Sequence, residues 1–440
     1  MQNFSTKLGT LRQAGLSLHC ALAVHRAWVN GSITHHLRAN LADVDATREW
    51  DTIVAEFYAR ELDRPLDDTM KIQLALPLKM GGCGIASAET TRLPAYLGAW
   101  EQSLSAVGKT LGANSAAQLH DSASTTRETI AVAAVELRAM GIPDYAFDWE
   151  EVFSEPRKRR QRELTKQLQT TRRDELLVRL PLQDQADFRS GGGVGAGAFL
   201  DTPTTNLKLP DDRMRVALRA RLRMARPGFD ISLESSVHAT HCQHANTSSG
   251  VFCGLPLDQH DPARCAVGGA FVRGHNQLRD FLARWVGEQT GQPTAIEQLV
   301  TPWHRCLPSG EFEMAKLDVS CMIGITRTHI DVAYTNARTE QVNERNHRAK
   351  EDGRAAAQKV LQKRTRYPPA ANPGESLVPF VIEALGRPST EAVALLRALA
   401  SSDPIERSTQ LSEAWREVSV ITQTRLAELY LSAERPRPPR

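Results

Sequence analysis

The sequence predicts an α+β protein, with a mainly helical N-terminal half followed by a C-terminal α/β core. Three observations predict it. Apolar residues recur at helical spacing through most of the first 225 residues. From residue 242 the composition changes, and short apolar runs such as Leu317-Asp318-Val319 and Ile330-Asp331-Val332 read as strands. A long basic stretch of helical period follows these two runs and the apolar run Leu377 to Glu383 comes after it, so strands, then helix, then strand argue for an α/β core. With 440 residues, 41% of them hydrophobic and 24% charged, the chain is of ordinary globular composition and can build more than one core.

The elements follow in order. Leu8, Leu11, Leu16, Ala21 and Leu22 give the first segment an apolar face, and residues 48–62 form a second helix with Trp50, Ile53, Val54 and Phe57 on one side. The glycines of the stretch from Leu76 to Ile85 permit a tight loop whose apolar residues tuck inside. A further helix near residues 93–104 carries Tyr96, Leu97 and Trp100. Helices continue through residues 105–225, broken at Ser190-Gly191-Gly192-Gly193-Val194-Gly195; this run lacks phosphate-loop spacing and reads as a flexible connector. On the helix expected at 211–224, Arg215, Arg219 and Arg223 fall four apart on one face. Such a stripe tracks phosphates or is the exposed side of an amphipathic helix. Beyond residue 242 the pattern predicts a helix over 276–288, strands around Asp318 and Asp331, and one long helix over 340–364. A buried strand over 377–383 and closing helices follow, and the proline-rich tail 434–440 is expected to be disordered.

A net charge of +3 does not announce a nucleic-acid binder, but basic residues crowd into 157–173, 213–223 and 345–366. Seven irregularly spaced cysteines do not make a disulfide scaffold. No run approaches the length of a membrane span, the N-terminus lacks a signal-peptide core, and the chain reads as intracellular. Arg157, Lys158, Arg159 and Arg160 are a candidate nuclear address, or a solvated helix face.

Two constellations carry chemistry. Ten residues separate Cys242 from Cys253, six separate Cys253 from His260 and four separate His260 from Cys265. Thiolates and imidazole are zinc's preferred ligands, and four of them close a structural site. Gly254 behind Cys253 suits a knuckle, while His241 and His244 lie close enough to replace Cys242 as first ligand. The second constellation is Asp318 and Asp331. Two neighbouring strands can bring both carboxylates onto one Mg²⁺, which needs few protein oxygens because it keeps several waters. A metal there polarises a phosphoryl group and activates water, and a nearby lysine stabilises the developing charge. Glu297 is a candidate third ligand.

Taken together, these motifs resemble the C-terminal half of the polyproteins of non-LTR retrotransposons that carry a restriction-like endonuclease. Trp50-Asp51 and the stretch from Leu76 to Ile85 resemble the thumb after the polymerase palm. The block 198–222, with Ala217-Leu218-Arg219-Ala220-Arg221-Leu222, resembles the linker. The block 242–387 resembles the zinc knuckle and nuclease. The resemblance implies residues 1–105 as thumb, 106–237 as linker, 238–275 as zinc knuckle, 276–400 as a nuclease core similar to the PD-(D/E)XK fold, and 401–440 as a C-terminal helix and tail. It implies that Asp318 and Asp331 hold Mg²⁺, with Leu317 standing where proline is usual. Ala333 stands two residues after Asp331, so the lysine comes from the next helix as Lys363, with Lys359 in reserve. Glu297 resembles the acidic residue on the fold's first helix. His275 and Asn276 match a His-Asn pair after the knuckle, although Gly274 replaces the usual arginine.

The implied activity is nicking of target DNA, leaving a 3′ hydroxyl that primes reverse transcription in the nucleus. The implied partners are target DNA, the element's RNA and a polymerase palm; the palm's aspartate pair is missing from this chain. Arg215, Arg219, Arg223, His275, Asn276, Lys359, Arg366 and Tyr367 are the candidate nucleic-acid contacts. A competing expectation keeps the zinc knuckle and basic helices as a binding remnant without chemistry. A third is a scaffold whose N-terminal helices pack on a separate polymerase.

Overall fold

Helical periodicity in the first 180 residues is realised as ten α-helices among the described residues. They are α1 (Gln2–Gln13), α2 (Leu18–Val24), α3 (Asn30–Ala39), α4 (Val44–Glu61), α5 (Asp68–Ala75), α6 (Ala88–Thr110), α7 (Ala116–Ser122), α8 (Ser124–Ala139), α9 (Trp149–Ser154) and α10 (Arg160–Arg179). The computed structural model describes residues 2–122, 124–224, 240–245, 250–257, 259–265, 267 and 269–434, excluding the side chains of 2–5 and 120–122. The end of the expected linker and the tail 435–440 lie outside the described residues. The chain divides into two units, Met1–Pro77 with Cys83–Arg179, and Leu78–Gly82 with Leu180–Arg440. Leu78–Gly82, inside the expected thumb region, therefore belongs to the C-terminal unit.

In the first unit α6 is central. Its Leu93, Tyr96 and Leu97 pack against Ile130, Leu137, Leu164 and Leu168. Its N-terminus is held by Asp51, whose carboxylate accepts from the Ser87 hydroxyl (2.6 Å) and from the amides of Ala88 (2.7 Å) and Glu89 (3.2 Å). A carboxylate belongs there because the first amides of a helix lack partners and its dipole is positive at that end. Trp50 enters the core with Val29, Ile33 and Leu37, so the Trp50-Asp51 pair has a structural task. Leu11, expected on an apolar face, is largely exposed. Arg157 and Arg160 of the basic run pair with the buried carboxylate of Glu101, the closer contact being 3.2 Å.

The second unit contains α11 (Leu182–Ser190), α12 (Asp211–Arg221), α13 (Gly269–Thr290), β1 (Ala295–Leu299), β2 (Arg305–Cys306), β3 (Phe312–Glu313), β4 (Lys316–Ile323), β5 (Thr326–Thr335), α14 (Val342–Lys350), α15 (Arg354–Arg366), β6 (Glu375–Glu383), α16 (Thr390–Leu399) and α17 (Pro404–Glu434). The main sheet has the order β1-β4-β5-β6. β4 runs antiparallel to β1 and β5, whereas β6 runs parallel to β5. A parallel neighbour needs a long crossover, and α14 and α15 provide it. Alternation along the strands then sorts the side chains. Val319, Cys321, Ile330, Val332, Tyr334, Phe380 and Ile382 form a core with α13, α16 and α17, while Ala333 and Val381 meet Ala356 and Val360 of α15 on the other side.

Two expectations need correction. The long helix over 340–364 is two helices, because Gly353 adopts φ +77° between them, a left-handed conformation that glycine enters without steric cost. The helix expected over 276–288 starts earlier, at Gly269. Among the described residues no helix is long and apolar enough to cross a membrane.

Candidate functional site

The zinc candidate is built by a hairpin. Cys242 N–H donates to Leu255 O (2.8 Å), Cys253 N–H to His244 O (2.8 Å) and Gly254 N–H to Cys242 O (3.1 Å). This pairing sets Cys242 beside Cys253 despite the long gap between them in sequence. Asp261 caps the short turn Pro262–Arg264 by accepting from Ala263 N–H (3.0 Å), which brings His260 and Cys265 to the same point.

The four ligand atoms lie within 4.8 Å of one another. Cys242 Sγ is 4.0 Å from Cys265 Sγ, and Cys253 Sγ is 3.6 Å from His260 Nε2. Tetrahedral zinc with Zn–S of about 2.3 Å and Zn–N of about 2.0–2.1 Å requires sulfur–sulfur and sulfur–nitrogen separations of roughly 3.8 and 3.6 Å. The cluster can therefore hold a zinc ion. His244, the alternative first ligand, is committed elsewhere, with Nε2 2.8 Å from Leu429 O and 3.0 Å from Ser432 Oγ. His241 Nδ1 sits 2.9 Å from the Thr240 hydroxyl. Burial pushes the Cys242 thiol up to about 12, and burial likewise raises Cys265. Without a metal these thiols stay protonated, and zinc must displace their protons. The knuckle rests on the last turns of α17, where Gln243 N–H donates to Ala433 O (2.9 Å) and Tyr430 Oη donates to Asp261 (3.1 Å).

The carboxylate site lies where two strands part. The β4–β5 ladder runs from Ile323↔Thr326 to Val319↔Ile330 and stops one step before Asp318 and Asp331. There the Asp318 side chain replaces the ladder, accepting from Val332 N–H at Oδ2 (2.7 Å). His275 of α13 reaches the opening from one face of the sheet, its Nε2 being 3.3 Å from Asp318 Oδ2 and 3.2 Å from Val332 O. Lys363 of α15 comes from the opposite face, with Nζ 2.6 Å from Asp331 Oδ2. That approach lies off the hydrogen-bond axis, so the buried Oδ2 has a charge partner but no well-formed hydrogen bond. Glu383, itself buried, fixes the start of α15 by accepting from Ala356 N–H (3.0 Å).

Electrostatics separate the two acids. Burial pushes Asp331 up to about 6, with Lys363 opposing and Asp318 reinforcing the rise. Burial acts the same way on Asp318, but His275, the Val332 amide and Lys363 outweigh it and hold that carboxyl below its usual range. The contact with Asp318 raises His275 despite burial. Lys359, one turn before Lys363, is lowered by burial and by its neighbour's charge. Tyr367 is pushed up to about 12, first by burial and then by Asp331. Two acids whose environments drive them apart, beside a lysine, are an arrangement that functional sites favour.

The other candidates fall differently. Glu297 is on strand β1, not on a helix. It adopts φ +58°, stands level with Asp318 across β4, and is engaged by Arg279 (2.5 Å) and by Lys316. Arg219 and Arg223 are each 1% exposed, so the arginine spacing of α12 does not describe an exposed phosphate track; Arg215 is half-buried. Arg221, also buried, donates to Gly82 O (2.9 Å) and Leu78 O (3.0 Å). Arg366 binds Trp303 O (2.7 Å) and stacks on Tyr367 at 4.7 Å. Asn276 Oδ1 lies 3.5 Å from His275 Nδ1.

Sequence reasoning missed a polar row two residues deeper on the same face. Ser320 Oγ is 2.7 Å from His329 Nδ1, and His329 Nε2 is 2.7 Å from Glu375. The signal was strand alternation, since Ser320 follows Asp318 by two and His329 precedes Asp331 by two. Gly274, noted as a departure, leaves room for Arg425, whose Cγ and Cδ would lie 2.5 Å from an added Cβ. The Arg425 guanidinium is held between the rings of Tyr334 (4.1 Å) and Phe271 (4.6 Å). No family model matches this chain, and no curated protein matches it.

Proposed function

We propose that the chain is a Mg²⁺-dependent DNA endonuclease, derived from a non-LTR retroelement, that nicks target DNA for target-primed reverse transcription. The observation that carries this reading is the parted β4–β5 pair, where Asp318, Asp331 and Lys363 converge, in a chain that also has a Cys₃His cluster able to hold zinc. On this reading the sheet and its flanking helices would serve as a PD-(D/E)XK-like core. Asp318 and Asp331 would hold Mg²⁺, which when bound would polarise the phosphodiester and acidify a water. Lys363 would meet the negative charge that develops on the phosphate. Water oxygen bonds to phosphorus as the P–O3′ bond breaks. The leaving oxygen takes a proton to become the 3′ hydroxyl, and a 5′ phosphate remains. Lys359, Asn276 and the half-buried Arg215 are the side chains left for backbone contacts, which position DNA without reading its sequence.

One observation favours a second reading, a zinc-containing nucleic-acid-binding remnant without chemistry. Each carboxylate already has a protein partner, the His275 imidazole for Asp318 and the Lys363 ammonium for Asp331, so neither acid needs an added cation as its only partner. Plasmid nicking by the zinc-loaded full chain separates the two. Nicking that requires added Mg²⁺ and disappears in Asp331→Ala supports the endonuclease. Plasmid binding by folded protein that never nicks overturns it in favour of the remnant.

A further inference from the structure

His275 was read from sequence as a contact for nucleic acid, yet its ring faces inward. Its Nε2 lies between two oxygens, Val332 O at 3.2 Å and Asp318 Oδ2 at 3.3 Å. Both accept, so Nε2 carries a hydrogen and cannot itself ligate a metal in this arrangement. The same Oδ2 also accepts from Val332 N–H at 2.7 Å. Two donors therefore occupy Oδ2 of Asp318, leaving Oδ1 on the side of the carboxylate shared with the neighbouring acid Asp331. The alternative helper, Glu297, is engaged by Arg279 and Lys316.

We propose that His275 is a positioning residue for the divalent-cation site: by donating from Nε2 to Asp318 Oδ2 and bracing against Val332 O, it locks the carboxylate so that Oδ1 is the oxygen offered to the cation. This inference rests on the reading of Asp318 and Asp331 as cation ligands. Partners that orient ligating groups typically change metal affinity by roughly 10- to 100-fold when removed. The geometry also separates the two amide replacements. Glutamine can put an N–H near the position of Nε2, whereas asparagine reaches only as far as Nδ1.

The test is Mn²⁺ binding, followed by electron paramagnetic resonance, to the zinc-loaded full chain in wild type, Asp331→Asn, His275→Gln and His275→Asn. Near-ultraviolet circular dichroism and zinc content show which variants are folded. The expected result is one Mn²⁺ site in wild type that Asp331→Asn abolishes. It should be retained in His275→Gln and weakened roughly 10- to 100-fold in His275→Asn. Equal Mn²⁺ affinity in folded Gln and Asn variants, whether at the wild-type level or reduced, overturns the proposal. A wild type without Mn²⁺ binding overturns both this inference and the endonuclease reading. Asp331-dependent Mn²⁺ binding with the expected Gln–Asn contrast, but no nicking of plasmid, removes the endonuclease reading alone.

Discussion

Replacing Asp331 by asparagine should stabilise the folded protein above pH 6 while abolishing any cation-dependent activity. The buried carboxyl ionises near 3.8 in the unfolded chain but only at about 6 in the folded protein, burial being the main cause. Below pH 3.8 the group is protonated in both states and wild type and variant should differ little. Between 3.8 and 6 only the unfolded chain gains from losing the proton, so wild-type stability falls relative to the variant as pH rises. Above 6 both states are ionised and the difference reaches its plateau. At about 1.4 kcal/mol per pH unit, the distance from 3.8 to about 6 amounts to about 3 kcal/mol. Asparagine keeps the shape and removes the charge, and Lys363, partly exposed, can turn to water. The assay is urea unfolding of both proteins at pH 4 to 8 with zinc retained and no other divalent cation present. Added Mg²⁺ should narrow the gap by stabilising only wild type, because a ligand that binds the folded state alone favours it. Parallel stability profiles across this pH range, or a variant less stable at pH 8, would refute the argument from burial.

Three further outcomes follow from the same structure. Zinc binding to metal-free protein at pH 7 should release up to about three protons, from Cys242, Cys253 and Cys265; titration calorimetry in buffers of different ionisation heat counts them, and Cys265→Ser should lower zinc content to zero. Gly274→Ala should cost about 1–3 kcal/mol in unfolding free energy, because the new Cβ meets the buried stem of Arg425. Arg219→Ala should destabilise the protein by more than about 1 kcal/mol yet leave the salt dependence of DNA binding by folded protein unchanged. Loss of a true phosphate contact would instead reduce that slope by about one.

The Cys₃His cluster was legible because zinc accepts few side-chain types and the spacing of Cys253, His260 and Cys265 exposed it. The choice between Cys242 and His244 was not, since it depends on a hairpin that sequence spacing does not reveal and on the α17 carbonyl that engages His244. Asp318 and Asp331 stood out as charges within apolar runs, but the parting of their strands is a matter of register. The arginines of α12 show the opposite limit. A period of four predicts that Arg215, Arg219 and Arg223 share a face, but α12 ends at Arg221, Arg223 adopts φ +63°, and Arg219 and Arg223 are both buried. Gly353 was visible within a charged helical pattern, and its left-handed conformation ends one helix and begins another. His275 was noticed for its neighbour Asn276, whereas its orientation follows from α13 packing over β4 and β5.

Leu78–Gly82 has a consequence for any attempt to divide the molecule. Gly193 N–H donates to Lys79 O (2.9 Å), the carbonyl of Phe188 would lie 2.6 Å from a Cβ on Gly81, and Arg221 donates to Leu78 and Gly82. The C-terminal unit is thus assembled from two stretches of polypeptide separated by almost a hundred residues of the other unit. A fragment beginning at residue 180 carries the whole Cys₃His cluster with Asp318 and Asp331, yet leaves the Arg221 guanidinium facing two missing carbonyls, at a cost of about 1–3 kcal/mol for each buried donor left unsatisfied. Cleavage at the apparent boundary would therefore not release an intact module, and the five-residue segment supplied as a separate peptide should restore part of what the cut removes.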